Sequence, residues 1–198
     1  MASSSSRQRL QRIGIVGAES TGKSTLVQAL ALDLGPAAAS VAEYARSRWD
    51  AVGSSGFAYA DMLPIAEQQV QLEERTAAVA PPNCCWLLCD TTPLATLYYS
   101  LASFGKAPLG LWALSARAYD LVLLCAPDMP FVQDGQRSSD AFRQRQHAWF
   151  LQALTERDIA YGLLQGDAPG RVQQAREAMA AFEMPRIKLD KPPPRCPV

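Results

Sequence analysis

Residues 17–24 read Gly17-Ala18-Glu19-Ser20-Thr21-Gly22-Lys23-Ser24, followed by Thr25, and carry the spacing G-x-x-x-x-G-K-[ST]. Residues of these types in this order can wrap an anion. The glycines let the backbone curl until successive N–H groups point inward, and the lysine adds a full positive charge. The implied chemistry is capture of a nucleoside triphosphate with Mg²⁺. The backbone from Gly17 to Thr25 would cradle the phosphates, Lys23 would reach the outer ones, and the Ser24 hydroxyl would ligate the metal.

Two carboxylates are candidates to face that loop. Asp90 closes the apolar run Cys84-Cys85-Trp86-Leu87-Leu88-Cys89. It can be a Mg²⁺ partner, a base for an attacking hydroxyl, or simply the cap of the next helix. Glu43 follows Ala39-Ser40-Val41-Ala42 and can bind a substrate hydroxyl, act as base, or pair with Arg46 on the surface. Arg137 comes just after Asp134-Gly135, and Arg143 and Arg145 lie a little further on. An arginine arriving on closure would stabilise the charge of a transferring phosphoryl group, so 133–147 is expected to form a mobile lid with Arg137 and Arg145. Arg171, after Gly166-Asp167-Ala168-Pro169-Gly170, is placed to stack on adenine.

These residues need a frame that brings them together. Arg12–Val16 reads as a buried strand and Thr25–Leu32 as a helix. Further strands are expected at 39–42, 84–89, 121–126 and 159–164. Helices are expected over 59–80, from Pro93, from about 145 to 157, and over 171–182. Strands alternating with helices imply an α/β fold, a parallel sheet of about five strands flanked by helices, with ligands at the carboxyl ends of the strands. The phosphate loop, Glu43 and Asp90 all fall on that rim. Residues 1–9 read as a tail, 10–184 as one domain, and 185–198, with Pro192-Pro193-Pro194, as a second tail. Trp86, Trp112 and Trp149 read as core, and His147 as a surface residue.

The composition narrows the function classes. The 19 Lys+Arg balance the 19 Asp+Glu, so no global field draws the chain to nucleic acid or to an anionic membrane. Five cysteines and one histidine suit neither a zinc site nor a disulfide framework, which favours a reducing cytoplasm. The sole asparagine is Asn83, so the chain lacks the Asn-Lys-x-Asp motif of a GTPase.

Taken together, residues 17–26, Glu43-Tyr44-Ala45-Arg46, Asp90-Thr91-Thr92-Pro93, Tyr119-Asp120-Leu121 and Asp134-Gly135-Gln136-Arg137 resemble the P-loop kinase domain of the NadR type, within a wider group of AAA-labelled ATPase and kinase domains. The resemblance covers about residues 12–182. It implies transfer of the ATP γ-phosphate to the 5′-hydroxyl of nicotinamide riboside. It places Glu43, Tyr44, Arg46, Gln69 and Asp90 toward the substrate, with Tyr44 and Gln69 bordering the base. Bifunctional members carry an adenylyltransferase domain before the kinase, whereas about eleven residues precede the first strand here, so only the kinase half is expected. Two rival readings remain: a kinase for another nucleoside or nucleotide, and a regulatory P-loop ATPase acting through a protein partner.

Overall fold

The computed structural model describes residues 9–52, 56–129 and 139–183. Five strands, β1 (Gln11–Gly17), β2 (Ala38–Val41), β3 (Trp86–Asp90), β4 (Leu121–Cys125) and β5 (Tyr161–Leu164), form one sheet in the order β2-β3-β1-β4-β5. Every pairing is parallel. Seven helices are described: α1 (Lys23–Leu34), α2 (Tyr44–Val52), α3 (Met62–Val79), α4 (Pro93–Phe104), α5 (Leu109–Ser115), α6 (Asp140–Glu156) and α7 (Ala168–Glu183). The expected α/β fold, with a parallel sheet between helices, is the fold observed.

The apolar runs become strands because the sheet is covered on both faces, so period-two alternation of polar and apolar residues is not required. Ile13 and Ile15 of β1, with Leu123 and Cys125 of β4, meet Leu26, Val27 and Leu30 of α1 and Ala175 and Met179 of α7. On the opposite face Val16, Val122 and Leu124 pack against α3, α4, α5 and α6 through Ile65, Leu97, Leu111 and Phe150. Gly14 also points to that face. A Cβ there would lie 2.8 Å from Thr92 Cγ2 and 3.1 Å from Tyr119 Cγ, so the central strand needs glycine at this point.

Two helices were not foreseen, α2 and α5, and both are short. In α5, Gly110 lies against α3, where an added Cβ would be 3.1 Å from both Leu63 methyl carbons. Two expected helix boundaries move. The expected 59–80 helix opens as a 3₁₀ turn over Tyr59–Asp61, and the last helix starts three residues early, at Ala168. Trp86 is buried, but Trp112 is 44% exposed, which corrects its core assignment. His147 is half-buried rather than on the surface, and burial lowers its pKa.

The sheet order places β1 between strands reached in opposite directions. The chain leaves β1 toward β3 and β2, then crosses to β4 and β5 on the other side. Such a switch point opens a crevice at the strand carboxyl ends. The phosphate loop issues from this point.

Candidate phosphate-loop cleft

Parallel register brings Ile15 of β1 opposite Asp90 of β3, and Gly17 opposite Cys125 of β4. The loop leaving β1 therefore rises between the ends of its two neighbours. Gly17 (φ 151°) and Gly22 (φ 76°) both have positive φ. A Cβ on Gly17 would stand 2.8 Å from Cys125 O and 2.9 Å from Thr21 Oγ1, so the tight turn needs glycine. Gly22 starts α1, accepting the bond from Leu26 N–H at 2.9 Å. Ser20 also has positive φ, 56°, and its buried hydroxyl has no hydrogen-bond partner. A strained, unsatisfied residue in a loop bounded by two positive-φ glycines fits a cradle shaped for a ligand.

The loop is braced from within. Lys23 Nζ and Thr21 Oγ1 both donate to Ala18 O, each at 2.8 Å. The first turn of α1 carries no acidic side chain, so its positive dipole end is not offset locally. Ser24 and Thr25 are exposed there. This arrangement can hold a chain of phosphates.

A cavity of about 510 Å³ opens in front of the loop. Residues Glu19 to Thr25 line it, together with the apolar and aromatic side chains of Trp49, Phe57, Met62, Ile65 and Phe104 and with Tyr99 and Phe142. Glu43, Arg46 and Gln69 also line it. The volume falls within the usual range for small-molecule sites.

Asp90 ends β3, is 5% exposed, and its Oδ1 is buried with no hydrogen-bond partner. Directly after it, Thr91 (φ 77°) turns the chain away, its N–H donating to Ile15 O at 3.0 Å. Asp90 does not itself line the cavity. Glu43 does. Burial raises the Glu43 carboxyl above its ordinary value of 4.5, while Lys23 and Arg46 pull it down and Asp90 and Glu19 push it up. Glu43, Lys23 and Asp90 thus lie within electrostatic reach of one another. Gln69, 3% exposed, accepts the Tyr44 N–H at 2.8 Å, and its own Nε2 donors remain unpaired beside the cavity. Tyr44 itself packs against the core rather than lining the cavity.

The arginines separate. Arg137, with the rest of 133–138, lies outside the described residues, as do both expected tails beyond Arg9 and Glu183. The remainder of 133–147 falls at Ser139 and in the opening of α6. There Arg143 is buried, donating to Met129 O at 2.9 Å and Pro127 O at 3.2 Å. Arg145 is exposed, its guanidinium carbon 5.9 Å from the ring centre of Phe142, a cavity residue.

Arg171 contradicts the stacking expectation. It is 2% exposed and donates to Thr21 O, Ala126 O (2.8 Å), Gly166 O (2.9 Å) and Asp128. Its donors are committed behind the phosphate loop, so no face is left for a base. Sequence reasoning left Trp49 and Phe57 out of the site. Nothing local in their neighbourhoods distinguishes a cavity wall from core.

The residues suit the group that the loop implies. The backbone N–H groups at the start of α1 and Lys23 would hold a triphosphate. Ser24 and the unpartnered Asp90 oxygen supply one hydroxyl and one carboxylate for Mg²⁺, which commonly completes its sphere with phosphate oxygens and water.

A family model described as an AAA domain matches residues 12–171. No curated protein matches the chain. Among solved structures, the chain is similar to a NadR protein in complex with NR: TM-score 0.72, 22% identity, 87% of this chain and 51% of that one. A NadR protein in complex with NAD and AMP-PNP gives TM-score 0.66 and 20% identity, over 85% of this chain and 49% of that one. Thymidylate kinase from Candida albicans gives TM-score 0.65 and 19% identity, over 87% and 92%. The chain spans about half the length of the NadR chains it matches. At these identities the likeness establishes the fold. No described helix is long and apolar enough to cross a membrane.

Proposed function

Because the chain belongs to the AAA-domain family, with a P-loop kinase fold, we propose that it is an ATP-dependent kinase acting on a nucleoside 5′-hydroxyl, with nicotinamide riboside as the favoured acceptor. One observation carries the reading. One cavity is lined by the phosphate loop, by aromatic side chains and by Glu43, which lies within electrostatic reach of Lys23. Those are the parts required for donor, acceptor and proton transfer.

Phosphoryl transfer asks mainly for positioning and charge stabilisation. The loop N–H groups and Lys23 hold the outer phosphates and neutralise their charge. Glu43 faces the cavity with a raised pKa, so it is the residue assigned to accept the proton of the attacking hydroxyl. Asp90, buried at the end of β3, is assigned with Ser24 to the metal, which would supply further charge neutralisation on the phosphates. Trp49 and Phe57, packed edge-to-face on each other, offer aromatic surface for a planar base, and the unpaired Gln69 amide offers it a donor.

The charge of the cavity favours a nucleoside over a nucleotide acceptor. Lys23 and Arg46 are the cations among its described lining residues, Lys23 belongs to the phosphate loop, and Glu19 and Glu43 are carboxylates. A phosphate on the acceptor would meet two anions and a single arginine. The test is coupled ADP release against a nucleoside panel. Nicotinamide riboside should stimulate release, and Lys23→Ala should abolish it. ADP release that no nucleoside stimulates would transfer support to a regulatory ATPase, and stimulation by thymidylate alone to a nucleotide kinase.

A further inference from the structure

Glu19 sits inside the phosphate loop, where a carboxylate is out of place. Its charge opposes that of the phosphates the loop would bind. The structure shows how that charge is held. The Glu19 backbone N–H donates to Gln146 Oε1 at 3.0 Å, and the Tyr99 hydroxyl donates to Glu19 Oε1 at 3.0 Å. A side-chain hydrogen bond also joins Tyr99 and Gln146, which closes a circuit between the loop, α4 and α6. Gln146 is 1% exposed and both its polar ends are used. Burial, and then the Glu19 charge, push the Tyr99 hydroxyl well above its ordinary pKa, so it stays a donor. Glu19 and Tyr99 both line the cavity that Glu43 lines.

We infer that Gln146 and Tyr99 are positioning residues that aim the Glu19 carboxylate away from the triphosphate and toward the acceptor, where it selects for hydrogen-bond donors or positive charge. The inference rests on the kinase reading above, because it assigns acceptor recognition to one end of that cavity. A residue that merely packed α6 would affect ATP and acceptor alike. A residue that aims Glu19 affects the acceptor.

The experiment uses the full chain in two arms. In the kinetic arm, Tyr99→Phe removes only the hydroxyl and Glu19→Gln only the charge. Each should raise the acceptor KM about tenfold and leave the ATP KM within about twofold. The double variant should lose no more than Glu19→Gln alone, since residues acting through one contact are not additive. In the second arm, amide exchange at Glu19 is measured without ligand. Gln146→Met, which keeps volume but loses both polar atoms, should accelerate it about tenfold. Equal rises in both KM values, additive losses, or unchanged Glu19 exchange would each overturn the inference. Failure of every nucleoside to stimulate wild type defeats the kinase reading, and with it the acceptor role of Glu19, whereas the exchange arm tests the circuit separately.

Discussion

The two sides of the phosphate loop are built on opposite rules. Behind it, polar groups are committed. Arg171 is buried and spends four hydrogen bonds on Thr21, Ala126, Gly166 and Asp128, tying the loop to the ends of β4 and β5. Asp128 in turn accepts the Gly166 N–H at 2.7 Å. Around the cleft, polar atoms are left open: Ser20 Oγ and Gln69 Nε2, on residues that line the cavity, and Asp90 Oδ1, at the end of β3, are buried without partners. The other such described atoms, on Gln11, Arg12 and His147, belong to residues that do not line it. A buried unpaired polar atom costs about 1–3 kcal/mol, so those at the cleft mark where a ligand can complete the bonding. The difference teaches where to look for stability and where for activity.

Four substitutions would break or sharpen that contrast. The largest effect is expected in front: Lys23→Ala should lower kcat/KM about a thousandfold, the scale for losing a preorganised charge at the transferring group. Its unfolding midpoint should barely move, and steady-state kinetics beside a denaturant titration reads both. Behind the loop the pattern should reverse. Arg171→Met strands three carbonyls and Asp128, and should cost about 3 kcal/mol of stability by urea unfolding. If Arg171→Met lowered activity with stability intact, the division of the loop into two sides would be wrong.

Glu43→Gln comes third, with about a hundredfold loss of kcat/KM. Its pH dependence carries a sign. Because burial raises the folded-state pKa of Glu43, the neutral form is the one the fold favours. Wild-type activity should therefore fall as pH drops through that raised value, at higher pH than for an ordinary glutamate. Stability runs the other way. The favourable contribution is complete below 4.5 and is lost as pH rises through the raised value, so Glu43→Gln should gain on wild type toward neutral pH. Thermal midpoints across pH would show it. The smallest effect is Gly22→Ala. At φ 76° an alanine is strained by about 1–2 kcal/mol, while its Cβ would meet Met129 Sδ at a tolerable 3.4 Å. Calorimetry should register a small loss, with ATP affinity reduced.

Some of this could be read in the chain. The loop from Gly17 to Thr25, the strand ending at Asp90 and the start of α4 with Pro93 in its first turn are local events, governed by φ preferences, apolar runs and turn chemistry within a few residues. The alternation of elements was enough to infer the parallel sheet and the rim to which Glu43 and Asp90 belong. Helices α2 and α5 escaped because seven to nine residues show too little periodicity, and their apolar positions acquire meaning only against α3 and α4.

Arg171 was misread because its partner Thr21 lies 150 residues earlier, and Gln146 went unnoticed because Glu19 is 127 residues away. The identities of the anion-binding residues follow from short-range stereochemistry, which the order of amino acids determines directly. Which carboxylate reaches the cavity, which arginine is spent as a clamp and which tyrosine restrains the loop follow from packing between distant segments. Only the folded chain decides those, because the energy of a buried polar group depends on what tertiary structure brings within 3 Å of it.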